Sequence, residues 1–448
     1  MSNKIGNIFK GDKVIWMVFF FLCMISIIEV YSASSTLSYK SGNFMGPVIK
    51  HMAILVGGVF VMICMLKVKC KYFKIVTPFM IFISIVLLLW VLLAGQSTNG
   101  ASRWISLVGI QFQPSEIAKG TLVLAVAQIL SAMQNENGAD KRAFKYILTI
   151  SAVMIFPIML ENMSTAMLLC ITIFFMMIIG RVPGKLLGKL AGIVLLTIVF
   201  AISMVMLLGH DEEKLAKTND TFTEQVATEQ PEKKNTVQKM FHRMDTWKAR
   251  IDHFLDTKPV SPEEVDLDKD AQVAHANIAI ASSNVMGKGP GNSVERDFLS
   301  QAFSDFIYAI IIEEMGVPGG LFVAFLYIIL LFRTGRIANR CENNFPAFLA
   351  MGLAILLVTQ ALFNMAVAVG LAPVTGQPLP LISRGGTSSI INCMYVGIIL
   401  SISRTAKKKE GADDRQTDPK IGYSIKKNNI LNKKCHKMDF FIYLCDRN

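Results

Sequence analysis

Three carboxylates interrupt an apolar stretch of the chain, "QAFSDFIYAIIIEEMG", which runs from Gln301 to Gly316. Asp305 stands near its start, and Glu313 and Glu314 follow eight and nine residues later. On a continuous helix, Glu313 would lie about 12 Å deeper than Asp305, and Glu314 would face nearly the opposite side. The three acids therefore cannot share one site. Because a charge inside an apolar membrane segment is costly, such residues mark functional sites by default.

A second polar group lies in "NGASRWISLVGIQFQPSEIAKG". Arg103 precedes an apolar helix, and Glu116 and Lys119 lie just inside it at i, i+3 spacing, where opposite charges on a helix pair. The pair can be purely structural. An ion pair inside the membrane is equally a candidate for function, and we favour function.

A third group is "GLAPVTGQPLPLISRGGTSS", whose prolines and glycines cannot continue a helix. Irregular backbone at a membrane is tolerated only where protein buries it or where it lines a water-filled cavity. Arg384 precedes two glycines and a helix start at Thr387, an arrangement that suits a phosphate group. The same residues also fit an ordinary helix cap.

Composition indicates where these groups lie. The chain has 448 residues, of which 52% are hydrophobic and only 17% charged, with a mean hydropathy of +0.47. This composition predicts a multi-pass membrane protein rather than a soluble one. The net charge of +12 could suggest nucleic acid, but much of it flanks hydrophobic segments or lies in the tail. We therefore expect no nucleic-acid partner.

The fold class predicted is an all-α membrane protein with about ten spans, each about 20 residues long. The predicted spans are 14–34, 48–66, 73–95, 115–133, 145–160, 164–180, 186–208, 304–332, 345–369 and 387–403. The fifth and sixth are short and closely joined, which is typical of a helical hairpin with a broken tip.

Lysines and arginines concentrate in alternate connections, at 67–74, 141–145, 181–189 and 333–340. The positive-inside rule assigns these connections, and both termini, to the cytoplasm. The chain then divides into a cytoplasmic N-terminus (1–13), a membrane domain (14–403) with one large external loop (209–303), and a basic cytoplasmic tail (404–448).

The three polar motifs, in this order and among ten spans, resemble the SEDS family, whose members include FtsW, RodA and SpoVE. The resemblance covers roughly residues 14–404. It implies a peptidoglycan glycosyltransferase that polymerises lipid II into β-1,4 glycan strands carried on undecaprenyl pyrophosphate. It also implies a multi-pass protein of the bacterial inner membrane that works with a class B penicillin-binding protein. "SQAFSDFIY" is most similar to division-type FtsW sequences, which implies a role at the septum with other divisome proteins.

The resemblance also implies residue roles. The family's proposed catalytic Asp corresponds to Asp305, and we assign Arg103, Glu116, Lys119, Ser383 and Arg384 to substrate binding. Glu313 and Glu314 are then buried polar partners of neighbouring helices. The sequence leaves open whether a divalent cation assists the leaving group.

The chain departs from the family's motifs at four positions. Asn162 replaces an Asp in "LENMSTA", Gln301 and Phe303 replace a Glu and a His in "LSQAFSD", and Arg384 replaces a Tyr in "SRGG". These changes count against a site built from several carboxylates or a metal. Two other functions remain open: a lipid II flippase, and a non-catalytic divisome scaffold that recruits a transpeptidase.

The charge asymmetry of the connections makes the topology testable. A reporter fused near residue 230 should read as external, and fusions near residues 140, 185, 338 and 420 should read as cytoplasmic. A cytoplasmic signal at residue 230 would overturn the predicted orientation.

Overall fold

The computed structural model describes residues 10–33, 46–94, 96–98, 101–107, 110–208, 271–299 and 304–413. Most of the predicted external loop and basic tail, the first residues of the N-terminal segment, and both Gln301 and Phe303 lie outside these ranges.

Eleven α-helices lie in the described part of the chain, and ten of them occupy the positions of the ten predicted spans. They are α1 (Lys13–Ala33), α2 (Gly46–Lys67), α3 (Cys70–Ala94), α4 (Pro114–Ala132), α5 (Lys141–Glu161), α6 (Met163–Ile179), α7 (Gly184–Leu208), the short α8 (Ala271–Ser282), α9 (Ile307–Asn339), α10 (Asn344–Ala368) and α11 (Thr387–Asp413). Among the described residues, eight helices are long and apolar enough to cross a membrane. The other two predicted spans are α6, with 17 residues, and α7, most of whose side chains after Leu196 are not described.

The fold is thus the predicted all-α membrane architecture, with two small sheets that the sequence analysis did not predict. Strands β1 (Gln96–Thr98), β2 (Ala101–Leu107) and β3 (Ile110–Phe112) form an antiparallel sheet between α3 and α4. Strands β4 (Gln134–Asn135) and β5 (Gly138–Ala139) form a hairpin between α4 and α5.

Helices α10 and α11 form the centre of the bundle. In their most apolar windows, 83% and 72% of the residues are buried, against 22% for both α2 and α3. The outer helices therefore present apolar side chains outward, as a protein surrounded by lipid requires, whereas the central pair packs against protein on nearly all sides.

Helices α5 and α6 form the predicted hairpin. Only Asn162 separates them, and its φ of −150° and ψ of 94° end the first helix before the second begins. Ala139, just before α5, donates its N–H to the carbonyl of Arg181, just after α6, over 3.3 Å. Because the start of α5 meets the end of α6, the two helices run antiparallel.

Helix α9 differs from the continuous span predicted at 304–332. It begins at Ile307, extends to Asn339, and is broken at Gly316, where φ is 72° and ψ is −175°. The break leaves main-chain groups without helical partners, and the segment after α8 supplies them. Lys288 and Gly289 donate N–H groups to the carbonyls of Glu313 and Glu314 over 2.9 and 2.8 Å. Broken helices are tolerated at membrane depth because such contacts restore the lost hydrogen bonds.

We expect Gly316→Ala to destabilise the protein. A Cβ at this position would lie 2.4 Å from the carbonyl oxygen of Val285, and the positive φ disfavours any L side chain. The expected loss is about 1–3 kcal/mol in the free energy of unfolding, measured on purified protein in detergent. Gly192→Ala is the matched control, because a Cβ there meets open space on helix α7. Equal stability of the two variants would contradict the proposed tight contact.

Candidate functional site

The segment 369–386, between α10 and α11, is irregular; residues 369–371 and 373 are exposed, and residues 375–383 are buried or half-buried among the helices. Four of its carbonyl oxygens accept hydrogen bonds from side chains of α1, α9 and α10. The donors are Asn364 to Gln377 (2.7 Å), Gln360 to Pro378 (3.0 Å), Tyr327 to Pro380, and Ser26 to Ile382 (2.7 Å). Polar residues spaced along apolar helices thus replace the hydrogen bonds that a helix would have provided.

Within this segment, Leu381 is buried and has a φ of 68°, which is rare for a residue other than glycine. The carbonyls on both sides of it, those of Pro380 and Ile382, are among the four held by side chains. Local strain of this kind persists where surrounding contacts fix the backbone, and it is common at functional sites.

Asp305 lies in the turn that leads into α9, and its side chain is half-buried. Its Oδ1 accepts a hydrogen bond from the hydroxyl of Ser304 over 2.9 Å. The main chain of the turn is held by two side chains: Ser383 donates to the carbonyl of Ser304 (2.6 Å), and Asn364 donates to the carbonyl of Asp305 (2.8 Å). At Gly376, where φ is 67°, an added Cβ would lie 3.4 Å from Asp305 Oδ2, so the irregular segment passes beside the carboxylate.

Arg384 lies near the end of this segment and is also half-buried. Burial lowers the pKa of its guanidinium, although arginine remains charged in proteins. The first turn of α11 comes next, and the buried hydroxyl of Ser388 has no hydrogen-bond partner among the described residues. A cation beside a helix N-terminus with an unused hydroxyl suits an anionic group.

Glu116 and Lys119 form the predicted ion pair on α4, at 2.9 Å. Both are buried: the exposed fraction is 3% for Glu116 and 0% for Lys119. The ammonium also donates to Oε1 of Gln360 over 2.8 Å, and Gln360 in turn holds the carbonyl of Pro378. The pair is therefore connected to the irregular segment through one intermediate side chain, that of Gln360.

Glu313 and Glu314 are buried and hydrogen-bonded, as expected, but most of their partners belong to a loop rather than to helices. Lys288 pairs with Glu313 at 2.7 Å, and the N–H of Gly291 donates to Glu314 over 2.8 Å. One helix contributes as well, since Ser32 of α1 donates to Glu314. The two glutamates therefore hold the loop after α8 against the break in α9.

Asn162 retains a capping role despite its departure from the family motif. Its Oδ1 accepts the N–H of Thr165 over 3.2 Å and so caps α6, a function that Asn and Asp serve equally well. The hydroxyl of Thr165 then accepts a hydrogen bond from Gln377 over 2.9 Å. The tip of the hairpin thus contacts the same irregular segment.

The structure joins five of the six predicted site residues to this segment. Ser383 and Arg384 belong to it, Asp305 contacts it through its turn, and Glu116 and Lys119 reach it through Gln360. Arg103 lies in β2, and its side chain is not among those described. Three further residues that contact the segment were not predicted from the sequence: Gln360, Asn364 and Gln377. Each is an isolated amide within or beside an apolar run, and that isolation was the available signal.

The chain is similar over nearly its whole length to known proteins. A family model described as "Cell cycle protein", which carries the names FtsW, RodA and SpoVE, matches residues 12–228 and 235–408. The probable peptidoglycan glycosyltransferase FtsW of Hahella chejuensis is 30% identical over 408 residues, which is 89% of this chain and 91% of the relative. The peptidoglycan glycosyltransferase MrdB of Escherichia coli K12 is 26% identical over 399 residues, which is 87% and 93% respectively.

Solved structures share the fold. The rod shape determining protein RodA of Thermus thermophilus superposes with a TM-score of 0.59 at 19% identity, over 89% of this chain and 99% of that one. A chain from a structure described as "Structural coordination of polymerization and crosslinking by a peptidoglycan synthase complex" gives a TM-score of 0.64 at 21% identity, over 88% and 98%.

The buried pair on α4 yields a stability prediction. Lys119→Met should destabilise the protein by about 3–5 kcal/mol, because it leaves the buried carboxylate of Glu116 without its cation. The double variant Glu116→Gln/Lys119→Met removes both charges and should recover part of that loss. Unfolding of the three proteins in detergent measures the difference. If the double variant is no more stable than Lys119→Met, the unpaired charge of Glu116 is not the cause of the loss.

Proposed function

This chain belongs to the family of FtsW, RodA and SpoVE, and from that membership we propose that it is a peptidoglycan glycosyltransferase that polymerises lipid II into β-1,4 glycan strands. The observation that carries the proposal is the half-buried carboxylate of Asp305, held on a fixed turn beside a strained, polar segment of main chain. The names of the FtsW and MrdB relatives support the same activity.

In this proposal, Asp305 is the general base. It accepts the proton of the GlcNAc 4-hydroxyl of one lipid-linked substrate as that oxygen attacks C1 of the growing chain. The bond from C1 to the phosphate oxygen breaks, and undecaprenyl pyrophosphate leaves with the electron pair. Attack from the opposite face inverts C1, so an α-linked donor becomes a β-1,4-linked product.

The pyrophosphate requires positive charge close to the reacting atoms. Arg384, with the N-terminus of α11 and the hydroxyl of Ser388, offers one such group, and Arg103 on β2 is a second candidate. We propose that Glu116, Lys119 and Ser383 contribute indirectly. Oε1 of Glu116, the ammonium of Lys119 and the hydroxyl of Ser383 contact other protein groups, and these residues shape the segment against which the substrate binds.

The proposed cellular setting follows from the substrate. Lipid II polymerisation takes place at the outer face of the bacterial inner membrane, and the FtsW relatives favour the division septum. We propose a class B penicillin-binding protein as partner, since one similar structure is described as a complex that coordinates polymerisation with crosslinking.

Asp305→Asn tests the proposed mechanism. The change preserves size and most hydrogen bonding but removes the basic oxygen, so strand synthesis should fall by about 10²–10⁴-fold, the usual contribution of general-base catalysis. The measurement is glycan polymerisation by purified protein supplied with lipid II. Lipid II binding should survive, because binding does not need a proton acceptor.

Asp297→Asn is the matched control. It makes the same chemical change outside the site, at a side chain that is 50% exposed. It should polymerise at the wild-type rate. Normal polymerisation by Asp305→Asn would overturn the mechanism and favour the alternative function, that of a lipid II flippase. If the wild-type protein fails to polymerise lipid II but binds a transpeptidase, the result would support the hypothesis of a non-catalytic scaffold.

A further inference from the structure

We infer that Asn364 and Ser383 are positioning residues for the reaction, which hold Asp305 in place through the main-chain carbonyls of its turn. The inference rests on the proposed role of Asp305 as the base. It assigns a function to Asn364, which carried no role in the sequence analysis, and gives Ser383 a task other than contact with substrate.

Asn364 joins the turn to the irregular segment. Its side chain is 1% exposed, and its Nδ2 donates to two carbonyl oxygens, those of Asp305 (2.8 Å) and Gln377 (2.7 Å). An amide nitrogen has two protons, so both are used. The reversed amide would set its oxygen against two carbonyl oxygens, which fixes the orientation as described.

The other amide atom strengthens this assignment. Oδ1 of Asn364 is buried and has no hydrogen-bond partner among the described residues. A buried acceptor without a partner costs free energy, so what favours an amide at this position is the pair of carbonyls that its Nδ2 holds. An apolar residue would pack at this position on α10 without that cost but would leave the two carbonyls unbound.

Ser383 holds the preceding carbonyl. Ser383 is 2% exposed, and its hydroxyl accepts the N–H of Leu379 over 2.8 Å and donates to the carbonyl of Ser304 over 2.6 Å. A hydroxyl has a single proton, and here Ser304 receives it. Two successive carbonyls of the turn are therefore fixed from two different elements, α10 and the irregular segment.

Fixing both carbonyls fixes the two peptide planes around Asp305 and hence the direction of its Cα–Cβ bond. The carboxylate then reaches the same place beside Gly376 in every turnover. Misplacing a reacting group by about 1 Å can cost on the order of 10²-fold in rate, so loss of either contact should act on the chemical step.

The test compares Asn364→Leu and Ser383→Ala with wild type in lipid II polymerisation. Both should lower kcat by on the order of 10- to 100-fold with little change in KM, because the substrate still binds but the base is misplaced. Ser383→Ala is the smaller change and keeps the test valid if Asn364→Leu fails to fold. Wild-type kcat in a folded variant of either residue would overturn the inference.

Thr165→Val is the matched control, because it removes a buried hydrogen bond of 2.9 Å to the same segment, at Gln377, without touching the Asp305 turn. It should lower stability but keep the wild-type kcat. An equal fall in kcat for Thr165→Val would show that any loosening of the segment has this effect, and the positioning role would be lost.

A double-variant cycle separates this inference from the proposed function. In an Asp305→Asn background, Ser383→Ala should cause no further loss, since there is no base left to position. Losses that multiply would overturn the positioning role. Wild-type activity of Asp305→Asn alone would instead refute the proposed base, whereas a slow Asp305→Asn beside a fast Ser383→Ala would refute only the inference.

Discussion

Main-chain hydrogen bonding inside an apolar bundle is the constraint on which the rest of this structure depends. A polar group buried without a partner costs about 2–7 kcal/mol, and lipid offers no replacement for water. The segment 369–386 gives up helical hydrogen bonds between the two central helices, and side chains of α1, α9 and α10 bind the carbonyls of its buried part. Four buried polar side chains of these helices, those of Ser26, Tyr327, Gln360 and Asn364, are explained by this one requirement.

The same constraint acts a second time at Gly316, where the loop after α8 completes the broken helix. The first part of α9 therefore lies between two irregular segments, with Asp305 at one end and Glu314 at the other. Each end is tied to a different part of the chain. The turn that carries the proposed base and the short helix that follows it are thus held at both ends, as precise placement of a reacting group requires.

The sequence predicted the features that depend on local composition. Long apolar runs gave the spans, the close fifth and sixth runs gave the hairpin at Asn162, and the prolines and glycines of 369–386 gave the irregular segment. Features that depend on distant partners were missed. The break at Gly316 needs main chain from residues 285–289, and the role of Asn364 needs a turn 59 residues away. Neither partner is visible from the local pattern.

A carboxylate that is placed through main-chain carbonyls does not depend on the identity of the side chains beside it. Any residue in such a turn offers the same carbonyl to Ser383 or Asn364. Natural selection can then change the flanking residues while the acid stays where it is. By its resemblance to the family motif, the chain has Gln301 and Phe303 where that motif has a Glu and a His, while Asp305 matches the Asp of the motif. Over evolutionary time, such an arrangement tolerates substitution of the side chains that flank the acid. It tolerates substitution poorly at the few residues whose side chains bind the main chain.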